Sequence, residues 1–267
     1  MSSPSKWALA LFCALISGLG PARAEAPPPG LAAGAGGTAQ RVIDGDTLVL
    51  ADGREVRLVG IQAPKLPLGR AGFRKWPLAD EAKAALVRLT AGRRVRLLFG
   101  GRREDRHGRV LAHLVRDADG LWIQGEMLRG GLARVYSFAD NRKAVAEMLA
   151  LERRARDAGR GIWAHRFYAI VSHRQAGRYI GTFQLVEGRV RKTAVVRRWA
   201  YVNFGADWRR DFTISIRRRD LRAFRRAFGK RLERLEGRRI RVRGWLRLRN
   251  GPMIEATHRE QIEVLSP

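Results

Sequence analysis

Two aspartates flanking one glycine, Asp44 and Asp46, open the stretch that carries most of the chain's chemical content, and Arg57 and Gln62-Ala63-Pro64-Lys65 follow them closely. Carboxylates gathered with a guanidinium suit a hard metal ion and a phosphate, the first by offering oxygen ligands and the second by a planar two-pronged donor. A second such fork, Arg109, ends the run Asp105-Arg-His-Gly-Arg109. The bland alternative is that Asp44-Gly45 is a turn and the two arginines are solvated charges.

The elements that must position these residues are legible in the spacing of apolar side chains. Leu48 and Leu50 alternate with Thr47 and Val49, Asp52-Gly53 is a turn signal, and Val56 and Leu58 share a face of a return strand. This predicts a β-hairpin with the two aspartates at one rim and Arg57 on the second arm. Pro77 opens a predicted helix with Leu78, Ala82, Ala85, Leu86 and Leu89 on one face, which Gly92 ends. Strands are expected over 94–99 and 110–115, a short helix over 124–129, and a last helix over 141–158 capped by Asp140.

The chain has 267 residues, 45% of them apolar, enough for one large or two modest domains. With 53 Lys and Arg against 25 Asp and Glu, its formal charge is +28, so a polyanion is the expected partner. Arginine standing in for lysine across ordinary surfaces is the competing account of part of that excess. Residues 1–24 have a basic start at Lys6, an apolar run and Ala22-Arg23-Ala24, the pattern of a signal peptide removed by signal peptidase. A secreted or periplasmic chain without a transmembrane segment is then expected. Cys13 is the only cysteine, so the mature chain would have no disulfide, zinc–thiolate site or cysteine nucleophile. Residues 25–38 read as a disordered Pro/Gly/Ala linker, 39–165 as the first folded domain, 166–178 as a connector and 179–267 as a second, basic domain.

The second domain holds 23 basic residues against nine acids. Strands over 183–196, 199–204 and 212–216, a helical stretch over 218–235 and strands over 240–248 and 253–264 give the order of an OB-like barrel. Trp199, Tyr201, Trp208, Arg209, Arg210 and Trp245 interleave aromatic and basic character there, as a single-strand nucleic-acid surface does. Half of such aromatics are equally expected in the core, because strand residues face inward and outward in turn.

In the first domain, Val42-Ile-Asp-Gly-Asp-Thr47, Arg57-Leu-Val-Gly-Ile-x-x-Pro64, Asp105-Arg-His-Gly-Arg109, Gly131-Leu-Ala-Arg-Val135 and Gly161-Ile-Trp163 occur in an order that resembles the staphylococcal nuclease, or thermonuclease, family. The resemblance implies an α+β fold, a five-stranded OB-type barrel with helices, and calcium-assisted hydrolysis of DNA and RNA. It also implies that Asp46 ligates calcium with Asp44 behind it and the Ala63 carbonyl beside it, and that Arg57 and Arg109 clamp the scissile phosphate. His107 and Tyr136 fall where nucleotide contacts are expected. Two positions depart from the family pattern, which has Asp and Glu where this chain has Gln62 and Lys65. The second metal carboxylate is thereby a neutral amide and the general base an ammonium, although Lys65 as an altered catalytic group stays open.

Three readings follow: a monomeric, exported nucleic-acid-binding protein with impaired calcium-dependent hydrolysis, at a weak calcium site or none; an active metal-dependent endonuclease; and a non-enzymatic envelope protein held to anionic surfaces.

Overall fold

The computed structural model describes residues 26–229 and 231–265; the leader-like residues 1–24 lie outside them. In chain order the elements are β1 (Ala32–Asp44), β2 (Thr47–Leu50), β3 (Glu55–Leu58), β4 (Gly60–Gln62), α1 (Ala79–Thr90), β5 (Arg94–Phe99), β6 (Val110–Arg116), α2 (Ile123–Arg129), β7 (Arg134–Tyr136) and α3 (Val145–Asp157). They continue as β8 (Val171–Ser172), β9 (Phe183–Arg189), β10 (Lys192–Val196), β11 (Trp199–Asn203), β12 (Thr213–Arg217), α4 (Leu221–Phe228), β13 (Arg239–Leu248), β14 (Pro252–Ala256) and β15 (Ile262–Val264). Among the described residues no helix is long and apolar enough to cross a membrane.

The first sheet is a closed barrel in the order β1-β2-β3-β6-β5. Its pairs are antiparallel except β3 with β6. The Asp52-Gly53 turn joins β2 to β3, with the Gly53 N–H donating to the Leu50 carbonyl. Leu48, Leu50, Val56 and Leu58 all point inward and are fully buried, as the alternation requires.

In the first unit three elements differ from their expected bounds. Residues 32–38 are strand rather than linker, pairing with β5 from Ala32 opposite Phe99 to Thr38 opposite Arg94. Their glycines are packing residues: a Cβ on Gly34 would lie 2.2 Å from the Phe99 ring, and one on Gly36 would lie 2.3 Å from the Val95 carbonyl oxygen. The helix expected from Pro77 starts at Ala79, because Leu78 turns through a left-handed φ of 64°. Asp140 does not cap α3, which begins at Val145 with Ala144 as N-cap; the Asp140 carbonyl instead accepts from the Arg102 N–H.

The second sheet runs β10-β11-β12-β14-β13-β9-β8, with β15 beside β13. The strand expected over 183–196 is broken at Val190 and Arg191, whose N–H groups donate to the Arg238 and Asn203 carbonyls. Taken as one bent strand, β9 and β10 pair with β13 on one side and β11 on the other, while β12 lies parallel to β14. That is the pairing scheme of the first barrel over again, with a helix in the same connection, between the third and fourth strands. The expected 253–264 strand is two pieces, β14 and β15, on opposite ends of β13.

The two units are joined by a buried ion network. Arg243, on β13, is 1% exposed and grips Glu152 of α3 with both terminal nitrogens, at 2.9 and 2.8 Å. It also donates to Glu263 at 2.6 Å, while Glu152 accepts from the Val135 N–H and from Arg156. Burial by itself would lower the Arg243 pKa, but Glu152 and Glu263 outweigh it and hold the guanidinium charged. Removing one partner of such a pair strands the other in low dielectric. Arg243→Met is therefore expected to destabilise the protein by about 3–5 kcal/mol, and Arg243→Met/Glu152→Gln by less. Guanidinium unfolding followed by tryptophan fluorescence measures both, and a single variant as stable as the parent would refute the assignment.

Acid should loosen the fold through two histidines. Burial pushes His113 and His258 from the usual 6.5 down to about 4. His258 bonds Ser137 across the domain junction at 2.8 Å. Between these pH values the unfolded chain binds protons that the folded chain does not, so their contribution is complete above pH 6.5 and lost on the way down to 4. Each accounts for up to about 3 kcal/mol. Urea midpoints at pH 7 and 4.5 should differ accordingly, and His113→Gln with His258→Gln should flatten the profile.

Candidate functional site

Asp44 ends β1 and Asp46 follows two residues later, just before β2. A register shift between Val42 and Asp44 bends the strand there. Gly45 fits because α1 crosses close behind it: an added Cβ would stand 2.6 Å from Ala63 Cβ and 2.8 Å from Ala82 Cβ. The outcome is a pair of carboxylates pressed into the protein, Asp44 at 4% and Asp46 at 0% exposure.

Buried carboxylates require positive partners, and these are Lys65 and Arg57. The Lys65 ammonium lies 2.6 and 2.7 Å from the two Asp46 oxygens and 3.1 Å from Asp44 Oδ2. Arg57 Nη2 stands 3.2 Å from Asp46 Oδ2, and the Ala63 N–H donates to the same oxygen at 2.8 Å. Burial would raise the Asp46 pKa, but Arg57, Lys65 and the Ala63 N–H reverse this and hold it well below the usual carboxylate range. Asp44 Oδ1 meanwhile accepts from the Asp46 N–H, so the two acids also order each other.

Gln62 is not part of this cluster. Its Oε1 accepts from Arg134 Nε at 2.9 Å and Nη2 at 2.7 Å, across the β4–β7 pair in which the two residues are directly opposed. Arg134 is itself buried, and that burial pushes its guanidinium down to about 10. The residue sits within the Gly131-Leu-Ala-Arg-Val135 motif, and its role was missed because only the motif, not a partner for Gln62, was read from it.

The donor set therefore does not fit calcium. Both carboxylates are taken by an ammonium, the Gln62 oxygen is taken by a guanidinium, and Ala63 approaches Asp46 through its N–H. Among the described residues no group of three or more Asp, Glu, His or Cys could hold a metal. Gln62, expected as a metal ligand, has its side-chain oxygen on Arg134 instead, and Lys65, expected as an ammonium in place of the general base, faces Asp44 and Asp46.

Arg57 links this cluster to an open cleft of about 440 Å³. Its two terminal nitrogens donate to the Leu58 and Ile61 carbonyls at 2.6 and 2.7 Å, so the fork is fixed by backbone. The cleft is lined by Arg57, Arg109, His107, Tyr136 and, from the loop beyond β7, Phe138. Arg109 pairs with Asp105 at 2.8 and 2.7 Å and remains about a third exposed. Burial alone would raise Asp105, but Arg109 and two loop N–H groups keep it below the usual range. One wall of fixed guanidinium and one of aromatic rings is an arrangement for a phosphate carrying an aromatic base.

The expected residues of the second domain lie elsewhere, with one exception. Trp245 Nε1 donates to the Tyr136 hydroxyl at 2.9 Å, and Phe183 packs edge-on against the Tyr136 ring at 4.8 Å. Trp199 and Tyr201 occupy the outward positions of β11, and Trp208, Arg209 and Arg210 are exposed on the loop before β12. None of these five lines the cleft.

Comparison with known proteins agrees with this geometry. The family model described as "Staphylococcal nuclease homologue" matches residues 55–165. A protein of Escherichia coli named "Uncharacterized endonuclease" is 33% identical over 139 residues, covering 51% of this chain and 82% of that protein. "Probable staphylococcal-like nuclease CAN1" of Oryza sativa subsp. japonica is 32% identical over 43% of this chain but only 30% of its own length. "Probable endonuclease lcl3" of Pyrenophora tritici-repentis is 36% identical over 118 residues, 41% of either chain. The segment matched by the family model carries β3, β5, β6 and both cleft arginines, and with four fifths of the bacterial relative covered, the chain belongs to the staphylococcal nuclease homologue family.

Proposed function

We propose that this chain binds the phosphodiester backbone of DNA or RNA, with single strands preferred, in the cleft of its first barrel, and that calcium-dependent hydrolysis there is weak or lost. The observation that carries the reading is the Lys65 ammonium on Asp44 and Asp46: it supplies the positive charge those acids require and occupies the donors a divalent ion would use. Arg57, its terminal nitrogens engaged by the Leu58 and Ile61 carbonyls and by Asp46, would set fixed positive charge beside a phosphate, and Arg109, held by Asp105 through Nε and Nη2, would offer it the remaining Nη1 donors. His107 and Tyr136 flank the space in which the attached base would sit. The names of the relatives, endonucleases among them, support nucleic acid as the ligand. Export rests on the leader-like residues 1–24, and the charge of +28 suits a polyanionic partner.

Hydrolysis needs an acceptor for the proton of the attacking water. The Lys65 nitrogen is directed at carboxylate oxygens instead, and Asp46 is sealed from solvent behind Arg57. The positive charge beside the phosphate is kept, while neither Lys65, directed at carboxylates, nor Asp46, buried behind Arg57, is placed to activate water.

Incubating the chain lacking residues 1–24 with labelled single-stranded DNA, with calcium or with EDTA, tests this. Binding should be indifferent to EDTA and fall steeply with salt, and cleavage should be slow or absent. Rapid EDTA-sensitive degradation that Asp46→Ala abolishes would establish the active endonuclease instead. Arg109→Gln, at a partly exposed position, should weaken binding of a dinucleotide roughly ten-fold. Gln62→Asp with Lys65→Glu should create calcium-competed terbium luminescence that the parent lacks; a double variant without it would overturn the explanation of the altered site.

A further inference from the structure

Away from the cleft, the second barrel carries two adjoining cavities that share Arg218. One, of about 520 Å³, is walled by Trp199 with Arg198, Arg217, Arg218 and Arg219. The other, of about 750 Å³, lies over α4, with Val195 and Leu221 as its apolar part and Arg218, Arg222, Arg225 and Arg226 around it. No carboxylate lines either cavity. Among the described residues, Arg198, Arg222, Arg225 and Arg226 make no ion pair, whereas Arg217 is held by Glu255 at 2.7 Å. Unpaired guanidiniums crowded on one face repel one another, and a bound polyanion relieves that repulsion.

The geometry supplies both halves of a nucleotide site. Arg222 and Arg226 are one helical turn apart, about 6 Å along the axis, with Arg225 between them and Arg218 preceding the helix. The row follows one side of α4, as a backbone of successive phosphates would need. At its end stands the half-buried Trp199 indole, with the Arg217 and Arg249 guanidiniums each 5.5 Å from the ring centre. An aromatic plate beside guanidinium forks is what stacks a base and neutralises its phosphate.

An anionic bilayer fits this face less well. The large apolar side chains at the core of α4 are turned inward, Leu221 at 3% and Phe224 at 0% exposure. The exposed positions of the helix are Arg222, Arg225 and Arg226, with Phe228 half-buried against the core, which leaves it without the broad apolar face that interfacial helices require.

We propose that this face is a second binding site, taking a single-stranded polynucleotide with a base on Trp199 and its backbone phosphates on Arg218, Arg222, Arg225 and Arg226. It deepens the reading of the chain as a nucleic-acid binder and rests on it. None of its residues lines the Arg57–Arg109 cleft, so the two sites are separable by mutation.

The test measures fluorescence anisotropy of a labelled fifteen-nucleotide oligothymidylate across a salt series. For the triple variant Arg222→Gln/Arg225→Gln/Arg226→Gln, affinity at low salt should fall at least ten-fold. The slope of log affinity against log salt should shrink by about 2, from three lost phosphate contacts. Trp199→Ala should weaken binding roughly ten-fold and Trp199→Phe much less, because stacking needs only an aromatic face. All three substituted arginines are exposed and unpaired, so unchanged circular dichroism and melting confirm the fold. A dinucleotide, too short to span both cavities, reads the cleft alone: it should bind the triple variant as it binds the parent. Unchanged oligonucleotide binding by the triple variant overturns this second site while leaving the cleft intact; failure of the parent to bind dinucleotide or oligonucleotide overturns the reading beneath both. Loss of binding to vesicles of phosphatidylglycerol and phosphatidylcholine without loss of oligonucleotide binding assigns the face to lipid and refutes the proposal.

Discussion

A carboxylate removed from water must be met by positive charge and N–H donors or it cannot remain ionised, and Asp46 places that demand where β1 turns into β2 in the first barrel. Its solution governs the surroundings. Lys65 has to leave the loop after β4 and turn inward, the Ala63 N–H has to face the same oxygen, and Arg57 has to lie across the outside. The strand bend at Asp44 and the bare backbone at Gly45 are what let α1 and that loop approach closely enough to do so. Glu152 poses the same requirement at the domain junction, where Arg243, Arg156 and the Val135 N–H meet it. Two buried acids thus order the molecule, one within a barrel and one between barrels.

The residues at positions 62 and 65 each meet a partner of matching chemistry. An amide at 62 leaves Arg134 with a neutral acceptor instead of a counter-charge, and burial of that arginine is tolerated because both of its donors on that side are satisfied. An ammonium at 65 gives the Asp44–Asp46 pair a covalently attached cation. A tethered charge loses no translational freedom on arrival and is always present, unlike an ion drawn from solution. The cluster is in this sense complete without anything added.

Local patterns in the sequence were sufficient for much of the fold. The hairpin from β2 to β3 follows from four alternating apolar residues and an Asp-Gly turn, and the shared cleft of Arg57 and Arg109 follows from motif order. What escaped has a common cause: it depends on which distant residues meet. Residues 32–38 look like linker because the glycines that admit Phe99 and Val95 have no apolar signal of their own. The Gln62–Arg134 pair joins positions 72 apart, and Glu152–Arg243 joins positions 91 apart. Neither arginine stands out in a chain with so many. In the second domain the outward alternation of Trp199 and Tyr201 was readable, but the unpaired row on α4 was not, because the absence of a partner is a tertiary property.

The hydrogen bond from Trp245 to the Tyr136 hydroxyl gives the second barrel a hand in the first barrel's cleft. Tyr136 is a wall of that space, and its ring is braced from behind by Phe183 and at its tip by Trp245. The aromatic side of the pocket is in effect a joint property of two modules that repeat the same strand scheme. A cut between them would leave Arg57 and Arg109 where they are while taking from the Tyr136 ring both of its supports in the second barrel, so the shape of that wall depends on a half of the chain that does not line it.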